Sequence, residues 1–233
     1  MKTPADLIIQ RSAGTGVSVA PTTAEQIAAV LADMLREPQN LSSVRDMDQA
    51  VWVHAVDSLS GLSVPAVRDA AGIVDIGAGG GFPGLALAAA LPETPVTLVE
   101  SEQRKADWLR RASARFPNVR VVADRSETLA LEERGAFPVA CARAVGSLPV
   151  VMELAAPLVA DGGYLVAWRG RREADDPAGA EAAAAELGLR GTPDIDVTPI
   201  PDVSRYFSVW QKAAPTPDRY PRRPGMAAKR PIA

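Results

Sequence analysis

The stretch VDIGAGGGFPG, Val74 to Gly84, sets an acid inside an apolar run and follows it with glycine at every second position, Asp75-x-Gly77-x-Gly79-x-Gly81. Glycine loses more conformational freedom on folding than any other residue, so such a cluster marks backbone that turns sharply or lies against a ligand. Two ligand classes compete for it. Gly79-x-Gly81-x-x-Gly84 satisfies the dinucleotide fingerprint, with Glu100 near the place of its ribose-binding acid. That fingerprint, however, begins at the glycine where the first strand ends, here Gly77, and from there the third glycine falls on Phe82. A pyrophosphate would also be repelled by the Asp75 carboxylate at the turn. S-adenosylmethionine brings an ammonium and a sulfonium and no phosphate, so Asp75 attracts it directly or through water. Glu100, at the next strand end, can accept from both ribose hydroxyls. A cap on the turn or on the following helix is the competing role for Asp75.

The elements that must position these residues alternate in type. Short apolar runs at Gly72 to Ile76, Val96 to Glu100, Val119 to Ala123, Val139 to Ala142, Tyr164 to Trp168, Ile195 to Ile200 and Tyr206 to Gln211 read as strands. Helical patterns fall between them at Pro83 to Leu91, Glu102 to Phe116, Ser126 to Glu133, Ser147 to Val159 and Ala178 to Leu187. This alternation predicts an α/β fold, Rossmann-like, with a mostly parallel seven-stranded sheet covered on both faces. No long helix separates the last two strands, which could pair as an antiparallel hairpin at the sheet edge. Upstream, Thr22-x-x-Glu25 reads as a capping box opening a helix that carries Ile27, Val30, Leu31, Met34 and Leu35, and a second helix is expected from about Asp48 to Ser60. The chain thus divides into a loose segment 1–21, a helical extension 22–70, a cofactor-binding domain 71–212 and a basic C-terminal tail 213–233.

Composition narrows the classes. Hydrophobic residues at 47% and charged residues at 23% describe an ordinary globular chain of 233 residues, enough for a real core. The N-terminus lacks the ~7 to 15 residue apolar core of a secretory signal, and no apolar run approaches the ~20 residues of a membrane span, so a cytoplasmic location is expected. One cysteine, Cys141, and one histidine, His54, exclude a disulfide framework and a typical Cys/His zinc site. Cys141 lies inside a predicted strand and reads as core rather than nucleophile; His54, on a predicted amphipathic helix, reads as a packed histidine, and Trp52 and Trp108 as core. From Lys212 onward six basic residues face Asp218 alone, giving +5 and leaving −8 for the rest of a chain with net charge −3. Tyr220-Pro-Arg222-Arg223-Pro and Lys229-Arg230-Pro supply spaced cations, prolines that keep the segment extended, and one aromatic able to stack on a base, a pattern suited to RNA.

DIGAGGGFPGLALA, LVESEQRKADWL, DRSETL, CARAVGSL and YPRRPGMAAKRPI, in this order, resemble the RsmG family, also called GidB. NLSSVRDMDQAVWVHAVDSL is similar to its helical N-terminal segment, so the resemblance runs from about Gln39 to Ile232. It implies a class I S-adenosylmethionine-dependent methyltransferase acting on N7 of guanine at position 527 of 16S ribosomal RNA. The family's cofactor contacts carry onto Gly77, Phe82, Ser126, Glu127 and Arg143. Two positions depart from the family pattern: Glu100 stands where Asp is common, lengthening the reach, and Arg169-Gly170 stands where Lys-Gly is common.

Guanine N7 carries an in-plane lone pair free at neutral pH, so its methylation needs no base, and the chain offers no obvious one. The segment after the fourth strand also lacks the Asn/Asp-Pro-Pro-Tyr pattern of exocyclic-amine methyltransferases. Arg143 becomes the residue expected to act, by holding the cofactor carboxylate or bonding guanine O6. Contacts to RNA are expected from Arg169, Tyr220, Arg222, Arg223, Lys229 and Arg230. A methyltransferase of a small molecule or protein, and a non-catalytic RNA-binding assembly factor on the same fold, remain open alternatives.

Overall fold

The computed structural model describes residues 2–170, 176–200 and 203–232. The segment expected to be loose is ordered: α1 (Pro4–Ala13) is closed at its start by a reciprocal capping box between Thr3 and Asp6. Ile8 and Ser12 on its inner side are fully buried. The capping box expected at Thr22 does not form. α2 (Pro21–Arg36) starts two residues earlier, with Ala20 rather than Thr22 as its N-cap, uncapped by a side chain, and Pro21 at the first helical position. Proline's fixed φ is preorganised there. Thr23 instead donates its hydroxyl to the Ala89 carbonyl at 3.2 Å, docking the helix on the body of the fold.

The expected helix from Asp48 to Ser60 is a composite. α3 (Met47–Ala50) runs into a π-helical stretch, Val51–Val56, then α4 (Asp57–Leu59), a 3-10 turn at Ser60–Ser63 and α5 (Pro65–Arg68). π-helical turns are rare and concentrate at functional sites, and this one holds His54.

Beyond it the alternation holds. β1 (Ile73–Ile76), α6 (Gly84–Ala90), β2 (Val96–Val99), α7 (Gln103–Ser113), β3 (Val119–Val122), α8 (Ser126–Glu132), β4 (Phe137–Arg143), α9 (Leu148–Ala155) and β5 (Val159–Arg169) follow one another, and the five strands lie parallel in the order β3-β2-β1-β4-β5. α9 stops four residues short of the expected Val159, which already belongs to β5. After α10 (Pro177–Leu187) come β6 (Leu189–Gly191), β7 (Ile195–Ile200) and β8 (Val203–Lys212). β8 lies antiparallel beside β5, and both β6 and β7 pair antiparallel with β8 along different parts of its length. Among the described residues the sheet therefore has eight strands rather than seven, because the outer partner of β8 is split into two short pieces.

The central strands β1, β2 and β4 are largely apolar and buried on both faces, as a doubly covered sheet demands. Ile73, Leu98, Val139, Cys141, Val166 and Trp168 pack with α6, α7 and the N-terminal helices, whereas Val74, Ile76, Val99, Ala140, Ala142, Leu165 and Ala167 pack with α8, α9 and α10. Cys141 is fully buried among them, and burial, with the Asp75 carboxyl adding to it, pushes its thiol well up. The C-terminal segment is not extended. Tyr220 is buried in the second of these cores and α11 (Met226–Lys229) turns back over the sheet edge. No helix among the described residues is long and apolar enough to cross a membrane.

Candidate cofactor site and its arginine cluster

Every strand-end residue named above falls at the carboxyl edge of the parallel strands, where ligands bind in open α/β sheets. After β1 the chain turns through Gly77, Gly79 and Gly81 at φ of 67°, 54° and 101°, all in the left-handed region that side chains resist. At Gly81 a Cβ would also lie 2.4 Å from Leu85 Cδ1. The turn is held from outside by Trp108, whose indole N–H donates to the Gly80 carbonyl at 3.2 Å. Phe82 is buried beside His54, with ring centroids 5.5 Å apart.

Asp75 takes the capping role. It is fully buried and accepts the Gly84 N–H at 2.8 Å, tying the start of α6 to the end of β1. Burial pushes its carboxyl up to about 7. Glu100 is buried too and accepts from the turn: Gly79 N–H reaches one carboxylate oxygen at 2.9 Å and Glu102 N–H the other at 2.8 Å. Each oxygen keeps a second acceptor site.

Beside Gly77 lies a cavity of about 180 Å³. Ile76, Val99, Val150 and Leu154 form its apolar sides, Ser126 and Glu127 its polar rim, and Gly225, Ala227 and Ala228 close it from the C-terminal segment. Glu127 accepts the Gly225 N–H at 2.8 Å, so that segment is bonded to the site.

Arg143 ends β4 and reaches toward the N-terminal helices. One guanidinium nitrogen donates to the Asp57 carboxylate at 2.7 Å and to the Val53 carbonyl at 2.9 Å; the other lies 3.4 Å from His54 Nδ1. Asp57, almost fully buried, also accepts from Arg205 Nε at 3.2 Å. His54 Nε2 is 2.7 Å from Ser42 Oγ, which accepts the Val44 N–H as well. With arginine as donor on one side and an accepting hydroxyl on the other, neutral histidine protonated at Nε2 satisfies every contact. Burial, reinforced by the Arg143 charge, lowers its pKa to about 4. Arg205 carries no signal in the sequence, and Ser42 and Asp57 fall within the resemblance to the family's N-terminal segment without a role attached to them. Asp57 sits three residues after His54, and the π-helical stretch running into α4 brings both to Arg143.

The residues expected to contact RNA separate into two groups. Tyr220 is buried, with its hydroxyl donating to Glu186 at 3.1 Å, so its ring has no free face for a base. Arg222 grips the buried Glu153 with two bonds, one of 2.6 Å, and donates to the Arg230 carbonyl at 2.7 Å, so its charge is already neutralised. Arg169 is half-buried and donates to the Gly146 carbonyl at 2.7 Å. Arg223, Lys229 and Arg230 are exposed. Glu153 was the missed signal, an acid on the apolar α9.

A family model described as rRNA small subunit methyltransferase G matches residues 24–192. Relatives curated as ribosomal RNA small subunit methyltransferase G agree: one from Rubrobacter xylanophilus is 38% identical, covering 89% of this chain and 82% of its own. Another, from Chloroflexus aggregans, is 35% identical over 97% of both. The chain belongs to this family. Among solved structures, a predicted O-methyltransferase from Agrobacterium tumefaciens is similar at a TM-score of 0.52 and 25% identity, covering 69% of this chain and 80% of that one. Aeropyrum pernix fibrillarin, solved with bound S-adenosyl-L-methionine, shares the fold at a TM-score of 0.52 and 17% identity, over 67% of this chain and 73% of its own. The methyltransferase G family model begins within α2 and stops just after β6, so α1, β8 and the segment closing the cavity lie outside its match.

Proposed function

We propose that the protein transfers the methyl group of S-adenosylmethionine to N7 of guanine 527 in 16S ribosomal RNA. Membership of the methyltransferase G family carries the target, and the glycine turn with Glu100 at the carboxyl edge supports the cofactor. The cofactor, when bound, supplies a methyl group activated by its sulfonium. The chain's own part is to hold and exclude. Glu100 has spare acceptor sites for ribose hydroxyls, Ser126 and Glu127 offer polar groups to a ring edge, and Asp75 acts indirectly by fixing the turn. Among the described residues the titratable groups nearest the glycine turn are committed elsewhere: the Cys141 thiol is buried and raised, His54 is buried with its pKa lowered to about 4, and the buried Asp75 carboxyl is spent on the Gly84 N–H. That suits N7, which attacks without losing a proton, and leaves alignment as the main device, worth ~7 to 11 kcal/mol when geometry is near attack.

Arg143, fixed on three sides, presents a cation at the β4 end with no freedom to wander, a group for guanine O6 or the cofactor carboxylate. Arg223, Lys229 and Arg230 offer charge for phosphates around the site. The substrate in this reading is the RNA within the small ribosomal subunit, met by a cytoplasmic monomer. Incubation with labelled S-adenosylmethionine and small subunits from a strain lacking the modification, followed by nucleoside mass spectrometry, should place label in 7-methylguanosine. Absence of transfer to subunits and to free RNA, despite measured cofactor binding, would move the substrate to a small molecule or protein.

A further inference from the structure

The segment after β8 is expensive to hold in place, and the contacts that hold it converge on the cavity. Arg134 donates to three of its carbonyls, those of Tyr220 at 2.6 Å, Thr216 at 2.5 Å and Pro217 at 3.2 Å. Arg222 is clamped on Glu153, which is 2% exposed, and Lys212 is buried against the Ala156 carbonyl and Thr216. Past these anchors Gly225, at φ 81°, turns the chain and gives its N–H to Glu127, and Ala227 and Ala228 come to line the cavity. A segment needed only as a flexible phosphate contact has no use for a buried ion pair and a hydrogen bond to a cofactor-site acid.

The cavity itself suits one kind of occupant. Its sides are aliphatic and its rim polar, the complement of a flat heteroaromatic ring with an amine on its edge. Glu127 spends one oxygen on Gly225, and the other has only a 3.4 Å contact with Ser126 Oγ, leaving it able to accept from such an amine. A volume of about 180 Å³ holds a ring and not a whole cofactor, since sites for drug-sized ligands begin at roughly 300 Å³. The remainder would lie along the open glycine turn, where Gly77 is exposed.

We propose that Gly225–Ala228 forms one wall of the pocket for the adenine ring of S-adenosylmethionine, latched through Glu127 and Glu153, and sets how tightly that cofactor is held. This rests on the cofactor reading above. Contacts that the wall makes only with a seated ring act on release, so their loss shows as weaker binding.

The test uses S-adenosylhomocysteine as probe on the full chain. Hydrogen exchange of amides in Met226–Arg230 is expected to slow at least tenfold when the probe saturates the protein, and unchanged exchange there, alongside protection at Gly77–Gly81, would overturn the wall. By calorimetry, truncation after Pro224, which keeps the Tyr220 and Arg222 anchors, and Ala227→Leu, which narrows the cavity, should each weaken binding at least tenfold, with thermal unfolding measured in parallel. Tighter binding by the truncated chain would mean the segment obstructs the site, and affinities within twofold in both variants would mean it is idle; either result sinks the inference while sparing the cofactor reading. A wild-type chain that binds no probe removes both.

Discussion

At the residue scale the decisive group is Arg143, because Asp57, the Val53 carbonyl and His54 leave its fork one orientation. Lysine would keep the charge opposite Asp57 but has no planar fork to satisfy three acceptors. Arg143→Lys is therefore expected to keep the fold and lose at least 100-fold in kcat, with cofactor Kd measured alongside; near-normal kcat would take Arg143 out of the reaction. Arg143→Ala is less clean, since it leaves the buried Asp57 to Arg205 alone, a change that typically costs about 3 to 5 kcal/mol. His54 gives a second expectation. Its folded pKa of about 4 lies below the unfolded value near 6.5, so between these limits the unfolded chain binds the extra proton and stability falls as pH falls. The full window is worth about 3 kcal/mol. Asp75, raised to about 7, works in the opposite sense, losing stability as pH rises through the same range. Denaturant unfolding from pH 4 to 7 in wild type and in His54→Gln isolates the histidine: the difference between the two curves should shrink as pH drops, and a flat difference would mean His54 titrates normally.

At the element scale, the C-terminal segment and α1 show what sequence could and could not reveal. The strands were legible because runs such as Ile73–Ile76 and Val96–Val99 are mostly apolar, with one polar residue each (Asp75, Thr97), and buried at every position, the mark of strands covered on both faces. α1 was missed because one of its two fully buried positions is Ser12, which dilutes the apolar stripe, and because its cap is Thr3 with Asp6 rather than glutamate. Ile8→Ala should cost about 2 to 5 kcal/mol by chemical denaturation, a loss no loose segment would produce. The C-terminal segment misled for a different reason: basic residues beside prolines look alike whether solvated or paired, and Glu153, which decides the matter for Arg222, lies 69 positions away. Arg222→Ala is expected to destabilise by about 3 kcal/mol, as unpairing a buried carboxylate does, whereas Arg223→Ala should leave unfolding unchanged within about 0.5 kcal/mol. Equal, small effects would show that the Glu153 clamp carries no stability.

At the scale of the whole molecule, the charge asymmetry of the sequence survives folding in reduced form. Of the six cations from Lys212 onward, Lys212 is buried, Arg222 is clamped on Glu153 and Arg219 pairs with Glu186, which leaves Arg223, Lys229 and Arg230 exposed beside the cavity. Arg104 in the first turn of α7 and Arg125 before α8 add exposed charge at the same carboxyl edge. Replacing Arg223, Lys229 and Arg230 together should flatten the salt dependence of RNA binding by about 0.7 in log–log slope per phosphate lost, roughly 2 in all on single strands. An unchanged slope in a filter-binding titration would place the RNA elsewhere. The fold class and the edge that carries the site could be read from alternation alone; the cluster around Asp57 could not, since it joins residues 53 to 205 across four elements.

The pairing of Arg222 with Glu153 also orders the protein's birth on the ribosome. Glu153 leaves the peptidyl-transferase centre 69 residues before its partner, and at ~5 to 20 residues per second that interval lasts roughly 3 to 14 s. During it α9 carries, among its buried residues, an acid whose partner cation has yet to be made. The newborn enzyme, whose proposed substrate is itself ribosomal, thus spends that interval with the carboxylate of Glu153 still waiting for its partner.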